Sequence, residues 1–235
     1  MIKVVLMDIE GTTTSIDFVH KVLFPYAHEH MEEFISHQGK TSQIESLLDD
    51  TRNLSGLDSK APAAEVIAVL KQWIKSDKKT TPLKTLQGYI WKEGYAKGHL
   101  KSHIYPEVSS EVNKWHERKL QLGIYSSGSI EAQKQLFQHT PAGDLTKILK
   151  FHFDTTSGHK REVQSYKNIL DSIGCNIPEE VLFLSDVAEE LDAARLAGMQ
   201  TTQLVRAEDR TEPNSSGHPV CSNFNEVSHQ VLKLH

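Results

Sequence analysis

Short, mainly apolar runs recur along the chain, and four of them are followed directly by polar residues. These runs are Ile2–Met7, Leu120–Tyr125, Ile148–Phe153 and Val181–Leu184; a fifth, Thr201–Val205, comes after a helix-like stretch that ends in Gly198. Runs of this length that are rich in β-branched residues are typical of strands buried on both faces of a parallel sheet. The pattern therefore predicts five strands in the core of the protein.

Helical patterns separate these strands. They include Ser129–Phe137, Glu162–Ile173 and Ala188–Ala197. Strands that alternate with helices of this length form βαβ units, which build a parallel sheet. The predicted fold class is therefore α/β, with a doubly wound parallel sheet.

The stretch from Phe18 to Leu100 follows a different pattern. Its apolar residues recur at helical spacing in several pieces, as in Val19, Val22 and Leu23, and no convincing strand interrupts them. We expect an all-helical cap inserted after the first strand, over residues 18–100. The α/β core then comprises residues 1–17 and 101–235.

The polar stretch Arg206–His218 differs from both parts. It contains Pro213, Ser215, Ser216 and Gly217, which are turn and loop residues. This composition predicts a surface loop.

The totals are those of an ordinary globular protein. The chain has 235 residues, of which 38% are hydrophobic, so it suits one large domain or a domain with an insertion. The net charge of about −5 argues against a general nucleic-acid binder, which would show a basic patch. A small anionic ligand stays compatible with this charge, because a local pocket can oppose the global sign.

The cysteine positions and the hydropathy predict the cellular compartment of the protein. Cys175 and Cys221 are far apart and in no CxxC arrangement, which favours two free thiols in a reducing cytosol. No run has the apolar length of a membrane span, and the first residues lack a secretory pattern. We expect no membrane association and a cytoplasmic location, with an added nuclear pool left open if the source is eukaryotic.

Polar side chains follow the carboxyl ends of several predicted strands. In a parallel sheet these ends share one edge, where ligands bind. The residues concerned are Asp8, Glu10, Ser126, Ser127, Lys160 and Asp186.

Each of these features has a simple structural explanation when it is taken alone. Asp8 and Glu10 could end a strand in a turn, and Ser129 could cap a helix. Lys160 could be solvated, and Asp186 could be the N-cap of the helix that follows. Their combination at one sheet edge instead favours a site for a hard cation and a phosphoryl group.

The chemistry of such a site gives each residue type a role. Mg²⁺ prefers oxygen ligands and needs one or two carboxylates, which Asp8 and Asp186 could provide. Asp8 could also be the nucleophile that forms an aspartyl-phosphate, since its two oxygens can serve both roles. Glu10 suits an acid that protonates the leaving oxygen and later activates water. Ser126 and the turn after it could hold phosphoryl oxygens, and Lys160 could neutralise developing charge.

These motifs resemble those of a known superfamily. Asp8-x-Glu10-Gly11-Thr12, a Ser-Ser-Gly after the second core strand, a downstream Lys and a late Asp-x-x-x-Glu are similar to the motifs of haloacid dehalogenase-like phosphatases. DIEGTTTSIDFVHKVLFPYA, YSSGS, HKRE and FLSDVAEELDAA resemble the enolase-phosphatases of methionine salvage in particular. Most superfamily phosphatases carry Asp at the position of Glu10, a departure that the enolase-phosphatases share.

This resemblance implies a specific activity. Such enzymes enolise 2,3-diketo-5-methylthiopentyl-1-phosphate and then remove its phosphate to give the acireductone, as soluble monomers that use one Mg²⁺ per subunit. Carried over to this chain, Asp8 and Glu10 are catalytic. The metal positions are Asp8, Glu10 and Asp186, and the substrate positions are Ser126, Ser127 and Lys160. Whether Glu10 would contact the metal through its side chain or its backbone carbonyl stays open.

Three other functions stay open at this stage. A related phosphatase could act on another small phosphorylated metabolite. A dehalogenase on the same scaffold would need the Asp8 nucleophile but neither a metal nor the second acid, so Glu10 and Asp186 argue against it. A non-catalytic module would bind phosphate esters and leave them intact.

Overall fold

The computed structural model describes residues 1–38, 41–213 and 216–234. The chain forms two compact units. The first combines Met1–Phe18 with the described residues from Lys101 onward, and the second is Val19–Leu100 with the gap at 39–40.

The first unit is built on a six-stranded parallel sheet in the order β3-β2-β1-β4-β5-β6. This arrangement confirms the predicted α/β fold class with a doubly wound sheet. The strands are β1 (Val4–Met7), β2 (Gln121–Tyr125), β3 (Leu149–Phe153), β4 (Val181–Ser185), β5 (Gln200–Leu204) and β6 (Val220–Cys221).

The two central strands explain why the apolar runs fold as they do. Every residue of Val4–Met7 and of Val181–Ser185 is buried, as expected where helices cover both faces of a sheet. The predicted run Ile2–Met7 becomes a strand only from Val4. The two-residue strand β6 was not predicted, because it is too short to carry an alternation pattern.

Ten α-helices are assigned among the described residues. They are α1 (Ile16–Phe18), α2 (Phe24–Gln38), α3 (Ser42–Ser55), α4 (Ala63–Lys75), α5 (Thr81–Ala96), α6 (Val108–Glu117), α7 (Ile130–Gln138), α8 (Val163–Ser172), α9 (Ala188–Leu196) and α10 (Phe224–Glu226). Shorter helical turns are Val19–Leu23, Pro178–Glu180 and Val227–Val231.

All regular elements among the described residues of the second unit are helices. It contains the π-helical turn Val19–Leu23 and the helices α2 to α5. Their inner faces share a core in which Met31, Val66, Leu70 and Leu86 are fully buried. The helical spacing of apolar residues in the sequence reflects this core.

The stretch Arg206–His218 is not the simple surface loop that its composition predicts. Its described part contains no helix or strand, but Arg206 and His218 are only 3% and 7% exposed. Both side chains find partners inside the first unit, so a polar composition here accompanies burial. Ser215 lies outside the described residues.

The structure also shows the state of the cysteines and the length of the apolar helices. Cys175 and Cys221 are both free thiols, and Cys221 is buried. Within the ranges that the structure describes, no helix is long and apolar enough to cross a bilayer.

Candidate active site

The edge of the sheet at the end of β1 is the centre of the candidate site. Chain order reverses at β1, which pairs with β2 on one side and β4 on the other. Asp8 follows β1 directly, and its backbone N–H donates to the Leu184 carbonyl at 2.9 Å. Ligands of open α/β sheets bind at such a reversal of strand order.

Asp8 belongs to a buried cluster of charged groups. The Lys160 ammonium contacts an Asp8 carboxylate oxygen and a Glu190 carboxylate oxygen, both at 2.6 Å. The Glu190 carboxylate also accepts a hydrogen bond from the Ser185 hydroxyl at 3.0 Å. Because Asp8, Lys160 and Glu190 are all less than a tenth exposed, water screens these contacts little.

The loop that carries Lys160 is fixed by side chains of the core. The Tyr166 hydroxyl donates to the Lys160 carbonyl at 2.7 Å, and the Tyr125 hydroxyl donates to the Gly158 carbonyl at 3.0 Å. The Ser165 hydroxyl donates to the His159 carbonyl at 2.7 Å. These bonds fix the backbone from which the Lys160 side chain extends, although the residue lies in a loop.

The protonation of this cluster follows from burial and charge. Burial by itself lowers the pKa of the Lys160 ammonium, but the carboxylates of Asp8 and Glu190 outweigh it and raise the pKa above its ordinary value. Burial also raises the pKa of the Glu190 carboxyl, an effect that Lys160 offsets in part. Lys160 therefore stays a cation at neutral pH.

Asp186 lies against the backbone that follows Asp8. A Cβ atom added to Gly11 would come within 2.5 Å of a carboxylate oxygen of Asp186, so the absence of a side chain at Gly11 makes this approach possible. Asp186 is not the helix cap that its position alone suggests. Helix α9 begins at Ala188, and its N-cap residue is Val187.

The carboxyl group of Asp186 shows that the site accumulates negative charge. Burial, together with the nearby carboxylates of Asp8 and Glu190, raises the pKa of Asp186 to about 8. Its Oδ1 atom is buried and has no hydrogen-bond partner among the described residues. Three acids share one lysine here, so the cluster has an excess of negative charge.

These observations fit a divalent cation with oxygen ligands. An unpaired buried carboxylate oxygen beside further acids is the kind of donor that Mg²⁺ requires. No three His, Cys, Asp or Glu side chains converge as a metal-binding group within the described residues. Mg²⁺ accommodates such a site, because it keeps several waters and needs only one or two carboxylates.

The other predicted site residues lie at the same sheet edge. Glu10 follows Asp8 by two residues, is half-buried, and forms a backbone bridge with Thr14. Ser126 and Ser127 follow β2, the neighbour of β1. The Ser126 hydroxyl accepts a hydrogen bond from the Gly128 N–H at 3.2 Å, which shapes the turn that leads to α7.

The Ser129 cap that the sequence suggested is present. The Ser129 hydroxyl oxygen accepts a hydrogen bond from the Ala132 N–H at 3.3 Å and caps α7. Glu190 is the site residue that the sequence reasoning missed. Its signal was the Asp-x-x-x-Glu spacing from Asp186, which places Glu190 on the first turn of α9.

A comparison with protein families identifies the kind of domain. Residues 2–198 match the family model of haloacid dehalogenase-like hydrolases. The chain is 46% identical over 234 residues to the enolase-phosphatase E1 of Pseudomonas fluorescens, covering 98% of this chain and 99% of that protein. It is also 46% identical to the enolase-phosphatase E1 of Drosophila mojavensis, covering 98% of this chain and 96% of the relative.

Two solved structures have folds similar to that of this chain. The UTR4 protein of Saccharomyces cerevisiae aligns with a TM-score of 0.79 and 34% identity, covering 95% of this chain and 99% of the yeast chain. The L-2-haloacid dehalogenase of Xanthobacter autotrophicus aligns over 100% of both chains with a TM-score of 0.60. Its 18% identity to this chain establishes a shared fold only.

Proposed function

The chain belongs to the haloacid dehalogenase-like hydrolases and, within them, to the enolase-phosphatases, and from this premise we propose the roles of its individual residues. It is a phosphatase of the phosphoric monoester class. We propose that it converts 2,3-diketo-5-methylthiopentyl-1-phosphate to the acireductone in methionine salvage. The observation that carries the assignment of residues is the buried cluster of Asp8, Lys160 and Glu190, with the unpaired Asp186 beside it.

The first half of phosphate removal forms a covalent intermediate on Asp8. A carboxylate oxygen of Asp8 attacks phosphorus, and the bond between phosphorus and the ester oxygen breaks as the new bond forms. Glu10, in its protonated form, gives its proton to the departing ester oxygen, which leaves as a hydroxyl group. Lys160 holds the Asp8 carboxylate by the 2.6 Å contact and offsets the charge that develops on the phosphoryl oxygens.

The second half releases phosphate and restores the enzyme. Glu10, now a carboxylate, takes a proton from water as the water oxygen attacks phosphorus. The bond between phosphorus and the Asp8 oxygen then breaks, so that Asp8 regains its carboxylate and inorganic phosphate leaves. One acid thus serves as proton donor and then as proton acceptor.

Asp8, Glu10 and Asp186 are the residues that we propose to hold one Mg²⁺, Glu10 through its backbone carbonyl so that its side chain stays free to transfer protons. Haloacid dehalogenase-like phosphatases generally use this ion. When bound, Mg²⁺ would offset negative charge on the phosphoryl oxygens and on the enolate oxygen of the substrate. Asp186 supports this assignment, because its unpaired oxygen and the raised pKa of its carboxyl group indicate a position where a cation is favoured.

Ser126 and Ser127 are proposed to bind the phosphoryl group. They lie in the turn between β2 and α7, where backbone N–H groups and the start of a helix favour an anion. Enolisation, which precedes phosphate removal, moves a proton from a carbon to the oxygen of the neighbouring carbonyl. We propose that the same cluster of charges serves both reactions of the small substrate.

We also propose that the protein acts as a monomer in the cytoplasm, with neither nucleic acid nor membrane as a partner. The protein acts on a small phosphorylated substrate. The mild negative charge of the chain supports the exclusion of nucleic acid.

Incubation of the purified protein with the diketo phosphate tests the proposed function. We expect acireductone absorbance and inorganic phosphate to increase in the presence of Mg²⁺, and both to stop in the presence of EDTA. Phosphate release from other esters but not from this one would indicate a phosphatase of another metabolite. Halide release that survives EDTA would indicate a dehalogenase, and binding without turnover would indicate a non-catalytic module.

A further inference from the structure

The chain segment that carries Glu10 is held in place by two side chains from the loop after β5. We propose that Arg206 and Asp209 are positioning residues that fix the acid loop, defined here as residues 10–16, and thereby orient Glu10 for proton transfer. This inference rests on the acid–base role of Glu10 in the proposed function. It concerns a part of the chain, Arg206–His218, whose sequence suggests only a surface loop.

The N–H groups of Gly11 to Thr14 are bonded locally, within residues 9–14. The N–H groups of Thr12, Thr13 and Thr14 all donate to the Ile9 carbonyl, at 3.2, 2.9 and 2.9 Å. The Gly11 N–H donates to the Thr14 carbonyl at 2.8 Å. The carbonyl groups of Thr12 and Thr13 instead receive their hydrogen bonds from other parts of the first unit.

Arg206 supplies the donor for Thr12. Its Nη2 atom donates to the Thr12 carbonyl at 2.7 Å, and its Nη1 atom donates to a Glu107 carboxylate oxygen at 2.6 Å. The guanidinium group also stacks 3.9 Å from the centre of the Tyr105 ring. Because Arg206 is only 3% exposed, these charge-assisted bonds lie away from solvent and are stronger than ordinary surface bonds.

Asp209 holds the far end of the acid loop. Its Oδ1 atom accepts hydrogen bonds from the Ser15 hydroxyl at 2.6 Å and from the Ile16 N–H at 3.2 Å. Its Oδ2 atom accepts a hydrogen bond from the Tyr105 hydroxyl. Tyr105 closes the connection, since its N–H donates to the Thr13 carbonyl at 3.1 Å.

These contacts reach the acid loop and not the nucleophile. The Asp8 carboxylate is held by Lys160, and the acid loop touches Asp8 only at its backbone, where the Thr13 hydroxyl donates to the Asp8 carbonyl at 3.1 Å. Loosening the loop should therefore impair the proton transfer by Glu10 more than the attack by Asp8. The two effects separate experimentally, because an ester with a good leaving group needs little help from an acid.

The test compares phosphate esters of different leaving groups in the full-length protein with Mg²⁺. We expect Arg206→Lys and Asp209→Asn to lower kcat/KM for an alkyl phosphate at least about tenfold more than for p-nitrophenyl phosphate, a fraction of what general acid catalysis contributes. Glu10→Gln should show the same selectivity to a larger degree. Adding Arg206→Lys to Glu10→Gln should then cause little further loss, because both changes act on the same proton transfer.

Two exposed residues of the same loop provide matched controls. Glu208→Gln and Arg210→Lys make the same chemical changes next to Asp209, and both should leave the ratio of the two esters unchanged. Equal losses on both esters in Arg206→Lys and Asp209→Asn would show a purely structural role and would overturn the inference. So would a full additional loss in the double variant.

The proposed function and this inference fail in different ways. A wild-type enzyme that releases phosphate from neither ester nor from the diketo phosphate would refute the proposed function, and the inference with it. An active wild-type enzyme whose loop variants keep the wild-type ratio of esters refutes the inference alone. If Arg206→Lys does not fold, Asp209→Asn decides, since it keeps the volume of the side chain while it removes the charge and turns one acceptor oxygen into an NH2 donor.

Discussion

Lys160 joins two carboxylates that would otherwise repel each other in a buried site. Its contacts with Asp8 and Glu190 are both 2.6 Å, and all three side chains lie away from water. Removing one member of such a group leaves the others buried and uncompensated, which is strongly destabilising. The lysine therefore has a structural as well as a chemical reason to occupy this position.

Gly11 combines a left-handed backbone conformation with a close approach to Asp186. It has φ +67°, a conformation that favours glycine, and a Cβ atom would come within 2.5 Å of an Asp186 oxygen. Gly11→Ala should therefore displace Asp186 as well as strain the backbone. We expect phosphate release to fall by at least about a hundredfold, since small displacements in an active site cost this much.

Gly174 is a matched control for this prediction. It also has φ +67° but has open space where a Cβ atom would be added. Gly174→Ala should cost about 1 kcal/mol of unfolding free energy from backbone strain alone and leave kcat unchanged. Urea denaturation and phosphate release of the two variants check this. Equal kcat values for both would contradict the proposed contact between Gly11 and Asp186.

The sequence indicated some members of the candidate site and not others, for physical reasons. Asp8 and Asp186 directly follow the buried strands β1 and β4, whose carboxyl ends share one edge, whereas Lys160 lies in the loop after β3. Glu190 was missed because two adjacent acids at the start of a helix are usually solvated. Glu190 can be buried because it pairs with Lys160, which is thirty residues away in the sequence, so no local pattern indicates the pair.

At the scale of elements, continuous apolar runs predicted β1, β2 and β4 well, because a strand buried on both faces has few polar positions. The loop Arg206–His218 was harder to predict, because several of its polar side chains form hydrogen bonds with other parts of the first unit. His218, for example, has its Nδ1 atom 2.8 Å from the Thr201 hydroxyl and its Nε2 atom 3.1 Å from an Asp192 oxygen. A polar composition does not separate such internal bonds from solvation.

The strand β3 carries a histidine that makes stability depend on pH. His152 is half-buried, and its Nδ1 atom lies 3.2 Å from the Gln133 side-chain oxygen. Burial, reinforced by the charge of Lys134, lowers the pKa of His152 from 6.5 to about 4. Between these two values the unfolded chain binds a proton that the folded protein does not, so this group reduces stability as the pH falls from 6.5 to 4.

His152→Asn should remove this dependence while keeping a donor for Gln133. We expect the unfolding free energy of the variant to fall less than that of the wild type between pH 7 and pH 5, as measured by urea denaturation. His116→Asn is the control, because His116 is exposed on α6. Parallel curves for the wild type and His152→Asn would show that folding leaves the pKa of His152 unchanged and would contradict this prediction.

At the scale of the whole molecule, one sheet edge collects residues from four distant parts of the sequence. Asp8, Ser126, Lys160 and Asp186 follow different elements, and only the parallel order of the strands places them together. This explains why the sequence could predict the site once the βαβ pattern was recognised. It could not predict the contribution of Arg206 and Asp209, whose partners are backbone atoms and hydroxyl groups of residues far away in the sequence.

The two reactions of an enolase-phosphatase should respond differently to the loss of different acids. Phosphoryl transfer needs a carboxylate at Asp8, so Asp8→Asn should stop phosphate release. The amide keeps the shape of the side chain, and Asp186 and Lys160 remain, so the variant should still enolise and accumulate a phosphorylated enol. Removing the Asp186 side chain takes away the buried carboxylate oxygen that has no hydrogen-bond partner among the described residues.

Asp186→Ala is therefore expected to yield neither the enol nor phosphate, if one cation stabilises the charges of both steps. Absorbance of the enol and assays of inorganic phosphate in the same reaction separate the two steps for both variants. Asp171→Asn, a change on the exposed face of α8, should leave both steps intact. An Asp186→Ala enzyme that enolises at the normal rate and fails only in phosphate release would overturn this scheme. The carboxylate of Asp186 would then serve phosphoryl transfer alone, and enolisation would depend on other groups of the site.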